Sequence, residues 1–186
     1  MRAIRPDIDW VSLAELGMED EPPEDADTFD GNALFKATWA WERTGLMSLA
    51  DDSGLEVEAL GGLPGVHSRR FSVEATAEAN NRLLLDKLRG ESNRGARFRC
   101  VLALVDAAGG RTVEGQCLGQ IGVELSGKGG FGYDPLFYAD DGNGLSFAEL
   151  SASHKNAISH RGRALVRLGE LLVPPSRDDQ GHDERG

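Results

Sequence analysis

The sequence predicts an α/β protein: a long, twisted mixed sheet flanked by helices, in two lobes with a central cleft. Two observations carry this. A helix-period stretch over 30–44 runs directly into an apolar strand, a helix-to-strand succession of the α/β kind. Two long alternating segments, 97–105 and 111–125, then follow across a short glycine-bearing connection, which is the pattern of antiparallel strands.

Taken in order, Ile8 to Leu13 reads as a short strand, and the acidic, proline-bearing run Glu19 to Asp27 as a loop. Asp30 to Thr44 reads as a helix, with Leu34, Ala37, Thr38 and Trp41 on one face and Gly45 as its stop. Leu46 to Ala50 is a buried strand ending at two aspartates. Leu55 to Leu60 alternates as an edge or hairpin strand, and Gly61-Gly-Leu-Pro-Gly65 is a turn-rich loop. Thr76 to Arg89 is a second helix with Leu84, Leu85 and Leu88 inward. From 97 to 105, Phe98, Cys100, Leu102 and Leu104 share one side. Ala107-Ala-Gly-Gly110 joins this strand to Arg111–Leu125, one long strand or a bent pair. Ser126 to Gly132 is a glycine loop and Phe147 to Leu150 a short helical piece. The last helix spans Ser159 to Leu172, with Ala164, Leu165, Leu168, Leu171 and Leu172 inward. One domain over 1–173 is expected, followed by a polar, disordered tail over 174–186.

The chain has 186 residues, 40% hydrophobic and 27% charged, enough for a real core. Its net charge of −11 argues against nucleic acid or an anionic membrane as partner. It does not exclude a nucleotide, because local lysines and a divalent cation can hold a triphosphate on an acidic protein. No apolar run reaches the ~20 residues of a membrane span, and the first residues lack a signal-peptide core. Cys100 and Cys117, without CxxC spacing, read as reduced, buried thiols of a cytoplasmic protein.

Four segments concentrate chemistry. Asp51-Asp52-Ser53-Gly54 closes an apolar strand, and on a strand the two carboxylates point to opposite faces, one to a cleft and one to a supporting role. Taken alone, the run reads more readily as a solvated turn. Glu24, Asp25, Asp27 and Asp30 crowd the loop before the first helix. One of them with one of the Asp pair would suit a hard cation such as Mg²⁺, though a solubilising loop explains them equally. Gly130-Phe-Gly-Tyr-Asp-Pro-Leu-Phe137 offers aromatic faces that backbone can approach, while Phe131 and Tyr133 also suit an ordinary core. Lys155 and Ser159-His160-Arg161 cluster donors at a helix start. Stacking surface, fixed donors and metal-binding acids together imply a nucleotide and its hydrolysis. His67, His154 and His182 have no metal-ligand spacing, so zinc is not expected.

These segments, together with Thr28-Phe-Asp-Gly-Asn-Ala-Leu-Phe-Lys-Ala37 and Gly61-Gly-Leu-Pro-Gly65, resemble the inosine/xanthosine triphosphate pyrophosphatase family in order from about Trp10 to Leu172. The resemblance implies hydrolysis of dITP, ITP and XTP to the monophosphate and pyrophosphate, with Mg²⁺ and as a homodimer. It implies that Asp52 is the proton acceptor and a Mg²⁺ ligand, with Glu24 the second ligand and Asp25 the next choice. Ser53, Lys36, Phe131, Gly132, Tyr133, Asp134, Lys155, His160 and Arg161 would bind substrate. Gly31 stands where the family commonly has a glutamate, so that Asp30 is the candidate stand-in. The family also opens with a strand and a Thr-x-Asn-x-x-Lys phosphate loop, unmatched before Trp10. Met1-Arg-Ala-Ile4 resembles the end of the helix that follows that loop, so an encoded segment upstream of Met1 is expected. Altered base specificity and nucleotide binding without catalysis are the alternative readings.

Overall fold

The computed structural model describes residues 6–20 and 22–172. The expectations for Met1–Ile4 and for the tail 174–186 fall outside them. Helix α1 spans Phe29–Thr44; Thr28 caps its start by accepting from the Gly31 amide, and Gly45 closes it. Strand β1 follows at Ser48–Val57, then α2 at Ala77–Lys87, β2 at Gly95–Asp106, β3 at Gly109–Ile121 and β4 at Phe137–Ala139. Helices α3 (Ala152–Ile158) and α4 (His160–Leu171) meet at Ser159, which ends one and caps the other.

Among the described residues four strands lie in the order β1-β2-β3-β4, and every pairing between them is antiparallel. The expected sheet was mixed. The excursion through α2 returns to the end of the sheet where β1 stopped, pairing Ala96 with Val57, so β2 runs back along β1. The β2–β3 turn is tight, with Asp106 opposite Gly109 and the Asp106 carboxylate accepting from the Ala108 amide at 2.8 Å.

Side chains of β2 alternate between two helical layers. Val101, Ala103 and Val105 pack with Phe29, Ala33 and Ala37 of α1. Cys100, Leu102 and Leu104 pack with Ala164 and Leu168 of α4 on the other face. Beyond these helices the strands continue into a third cluster. There Leu55, Val57, Phe98 and Ile121 meet Leu84 and Leu88 of α2 and Phe137 and Phe147. That cluster is the core of the second lobe. Both cysteines are buried and free, and burial pushes each thiol up to about 11.

Four local expectations are corrected. Ile8–Leu13 is not a strand; Ser12 and Glu15 cap one another around a single 3₁₀ turn at Ala14–Leu16. The two strands expected around Asp51-Asp52 are one, because the ladder to β2 runs unbroken through 51–54. At Phe147–Leu150 there is a turn and no helix. The amides of Phe147 and Ala148 are drawn out to the Phe137 and Asp134 carbonyls, leaving no helical ladder. Of the two readings for 111–125 the single long strand holds, but it ends at Ile121, short of Leu125.

Candidate active site

Strand alternation in β1 sends Asp52 toward α1 and Asp51 toward α4. On the α1 side, Lys36 and Asn32 lie one helical turn apart and so share a face. The Lys36 ammonium donates to Asp52 Oδ1 at 2.9 Å and to Glu24 Oε1 at 2.8 Å. The Asn32 amide donates to Asp52 Oδ2 at 3.1 Å. Both oxygens of Asp52 are thereby fixed. Burial raises the Asp52 carboxyl above its ordinary range, against the opposing pull of Lys36 and Asn32. Burial alone would lower Lys36, but its bonds to Glu24 and Asp52 outweigh that and raise it.

On the α4 side, Arg161 pairs with Asp51 at 2.6 Å, and Asp51 also accepts from the Ser53 hydroxyl at 3.3 Å. Beside them opens a cavity of about 390 Å³ between the two lobes. Its walls include Ser53, Phe98, Phe131, Tyr133, His160 and Arg161. Phe131 is 68% exposed, an unusual state for a large aromatic, and its ring edges this cavity. Lys155 holds its ammonium 4.5 Å over that ring and pairs with the buried carboxylate of Asp134. Asp134 also accepts from the Phe131 amide at 2.7 Å. Gly130 permits this brace: its φ is +71°, and a Cβ there would sit 2.0 Å from Asp134 Oδ2.

His160 is buried and stacks on Phe98, with ring centroids 4.7 Å apart and planes inclined by 13°. Burial, then Arg161 and Lys155, push its imidazole down to about 3, so it is neutral near pH 7. Its Nδ1 is buried and has no hydrogen-bond partner among the described residues. Tyr133 is a core residue, its hydroxyl donating to the Ser68 carbonyl at 2.9 Å, and its ring forms part of the cavity wall.

The structure therefore brings the expected residues into two adjoining groups. Glu24, Lys36 and Asp52 converge on one side, and Ser53, Phe131, Gly132, Tyr133, Asp134, His160 and Arg161 line the cavity, with Lys155 behind Phe131. Among the expected candidates for metal, Glu24 is the acid bonded to Lys36. Asp30 lies in the first turn of α1, and no bond ties it to this group. The expectations had no role for Asn32, for the Asp51–Arg161 pair, or for Asn80 and Ser68 in the cavity wall. The spacing of Asn32 and Lys36 on one helix was the available signal.

The fit to Mg²⁺ follows from the donor set. Two carboxylates from separate segments, Glu24 and Asp52, meet around one cationic point now occupied by the Lys36 ammonium. Among the described residues no group of three acids, histidines or cysteines could hold a metal alone. Mg²⁺ commonly takes one or two carboxylates and completes its shell with phosphate oxygens and water, so the pair suits it.

The chain matches the Ham1 family over residues 1–171. It is 51% identical over 166 residues to the dITP/XTP pyrophosphatase of Desulforamulus reducens, covering 87% of this chain and 82% of that protein. It is 48% identical over 168 residues to the dITP/XTP pyrophosphatase of Porphyromonas gingivalis, covering 89% and 86%. The Ham1 protein of Staphylococcus aureus superposes with a TM-score of 0.87 at 36% identity, over 92% of this chain and 90% of that one.

Proposed function

Because the chain belongs to the Ham1 family, we infer that it is a nucleoside-triphosphate pyrophosphatase that removes dITP, ITP and XTP from the nucleotide pool. The reaction is NTP + H₂O → NMP + pyrophosphate. One observation carries the residue assignments. The fixed carboxylate of Asp52 is the immediate chain neighbour of Ser53, which lines a base-sized cavity edged by an exposed aromatic ring.

In this reading the purine enters the cavity and stacks on Phe131, with Tyr133, Gly132 and the Asp134 brace holding the loop that carries the ring. Arg161 and the neutral His160 meet the 6-oxo edge. Adenine presents an amino group there, which would set donor against donor and leave one unpaired, at a cost of ~1–3 kcal/mol. Ser53 touches the substrate at the cavity mouth. The triphosphate lies toward Lys36, whose ammonium offsets charge on the departing pyrophosphate. Asp52 orients the attacking water and accepts its proton; a buried carboxylate with a raised pKa is the better base. Glu24 and Asp52 would hold Mg²⁺, which when bound neutralises phosphate charge and polarises the scissile phosphate.

Rates of pyrophosphate release from dITP, XTP, dTTP and ATP test this. Preference for dITP and XTP supports it, whereas dTTP at an equal rate would assign a different base specificity to the same scaffold. We place the protein in the cytoplasm, working as a homodimer without nucleic acid. The high negative charge speaks against nucleic acid, and among the described residues no helix is long and apolar enough to cross a membrane. Light scattering checks the dimer, which should have twice the 20.0 kDa chain mass.

A further inference from the structure

The loop that carries Glu24 has no regular secondary structure from 22 to 27, yet it presents its carboxylate to Lys36 at 2.8 Å. Two side chains fasten it. Arg70 donates to the Glu24 carbonyl at 2.9 Å. Asn32 reaches it from α1: its Oδ1 accepts from the Ala26 amide at 3.0 Å. The same carboxamide donates through Nδ2 to Asp52 Oδ2 at 3.1 Å. Asn32 is only 1% exposed, and both bonds leave α1 sideways instead of joining its ladder.

We propose that Asn32 is a positioning residue for the reaction, one rigid carboxamide that sets the Glu24 loop and the Asp52 carboxylate in register with each other. The inference rests on the reading of Asp52 and Glu24 given above. The geometry favours this role for three reasons. A carboxamide has a donor and an acceptor on one plane, so a single rotamer fixes both partners. Engaging Oδ2 leaves Oδ1 to face Lys36 and the water it would orient. Finally, no other side-chain bond ties Asp52 to α1 apart from Lys36, whose flexible stem cannot fix an angle. Asn32 makes no contact with the cavity and so has no part in binding the base.

Two substitutions separate the bonds. Asn32→Asp keeps the acceptor for the Ala26 amide and the side-chain shape, but it turns an oxygen toward Asp52 in place of the donor. Asn32→Ala removes both bonds. Each is assayed for dITP kinetics, and amide exchange at Ala26 is followed by NMR, which needs no activity and no metal. Groups that orient an active-site ligand are worth about 10- to 100-fold when removed. Asn32→Asp should lose kcat by that factor with KM within about threefold, while Ala26 stays protected. Asn32→Ala should lose kcat and also expose Ala26 to exchange, with α1 itself still protected. A merely structural asparagine would instead lower the melting temperature and leave kcat of the folded fraction unchanged. That result in Asn32→Asp, or unchanged Ala26 protection in Asn32→Ala, overturns the proposal. If Asn32→Ala does not fold, the Asn32→Asp kinetics and exchange decide alone. Should the wild-type protein fail to hydrolyse dITP, the functional reading falls, while Ala26 exchange still reports whether Asn32 holds the loop.

Discussion

Acid should destabilise this protein through His160 before it reaches most of its carboxylates. The imidazole is buried against Phe98 beside Arg161, and its pKa in the fold is about 3, against 6.5 for the free group. The unfolded chain therefore takes up a proton at His160 between these values while the folded chain does not. Stability from this group is complete above about pH 6.5 and declines as the pH falls toward 3. The loss at pH 5.0 relative to pH 7.5 is about 2 kcal/mol, from the ratio of proton uptake in the two states. Urea unfolding at pH 7.5, 6.0 and 5.0 measures it, with His160→Gln as the non-titrating reference. The wild-type midpoint should fall toward that of the variant as the pH drops, with the slope m unchanged. Parallel curves, with a gap constant to within about 0.5 kcal/mol, would show that the imidazole takes up its proton as readily in the folded state as in the unfolded one; the burial-depressed pKa of the base-pocket histidine would then be wrong.

Other outcomes follow from the same geometry. Asp52→Asn keeps the shape beside Lys36 and Asn32 but removes the base, so kcat for dITP should drop by ~10²-fold or more with the fold intact by circular dichroism. Phe131→Ala removes an exposed ring, so the melting temperature should hold while KM for dITP rises about 5- to 100-fold, the worth of one stacked base. Gly115→Ala places a Cβ 2.1 Å from the His160 carbonyl and 2.3 Å from the Ala164 amide nitrogen, where α4 crosses β3. Neither backbone atom can step aside cheaply, so urea unfolding should show a loss of ~1–3 kcal/mol.

The helices with strong caps were legible from sequence. Thr28, Thr76 and Ser159 each accept from the amide three residues on, and the inward leucines of α2 and α4 fall where the helical period puts them. The strands were less so. Asp51-Asp52-Ser53-Gly54 carries turn chemistry, and the long-range partners Lys36 and Asn32 of Asp52 and Arg161 of Asp51 make it tolerable inside a sheet. Helix α3 escaped notice because it is short, and strand β4 because it is short and bonds with β3, well back along the chain. At the site, residue identity pointed to Asp52, Glu24 and Lys36 through the resemblance, whereas Asn32 stood in plain sight without a role. Its function depends on Ala26 and Asp52 lying on either side of one side chain, a fact of the fold alone.

In the proposed reaction the Asp52 cluster, beside a stacking cavity, cleaves a 6-oxo purine triphosphate to monophosphate and pyrophosphate. Phosphorus NMR of dITP turned over with Mg²⁺ tests it most directly, because it identifies the products as well as their rate. dIMP and pyrophosphate should grow in equal amounts, with dATP left nearly intact over the same time. Release of inorganic phosphate with dIDP, or equal consumption of dATP, would contradict it.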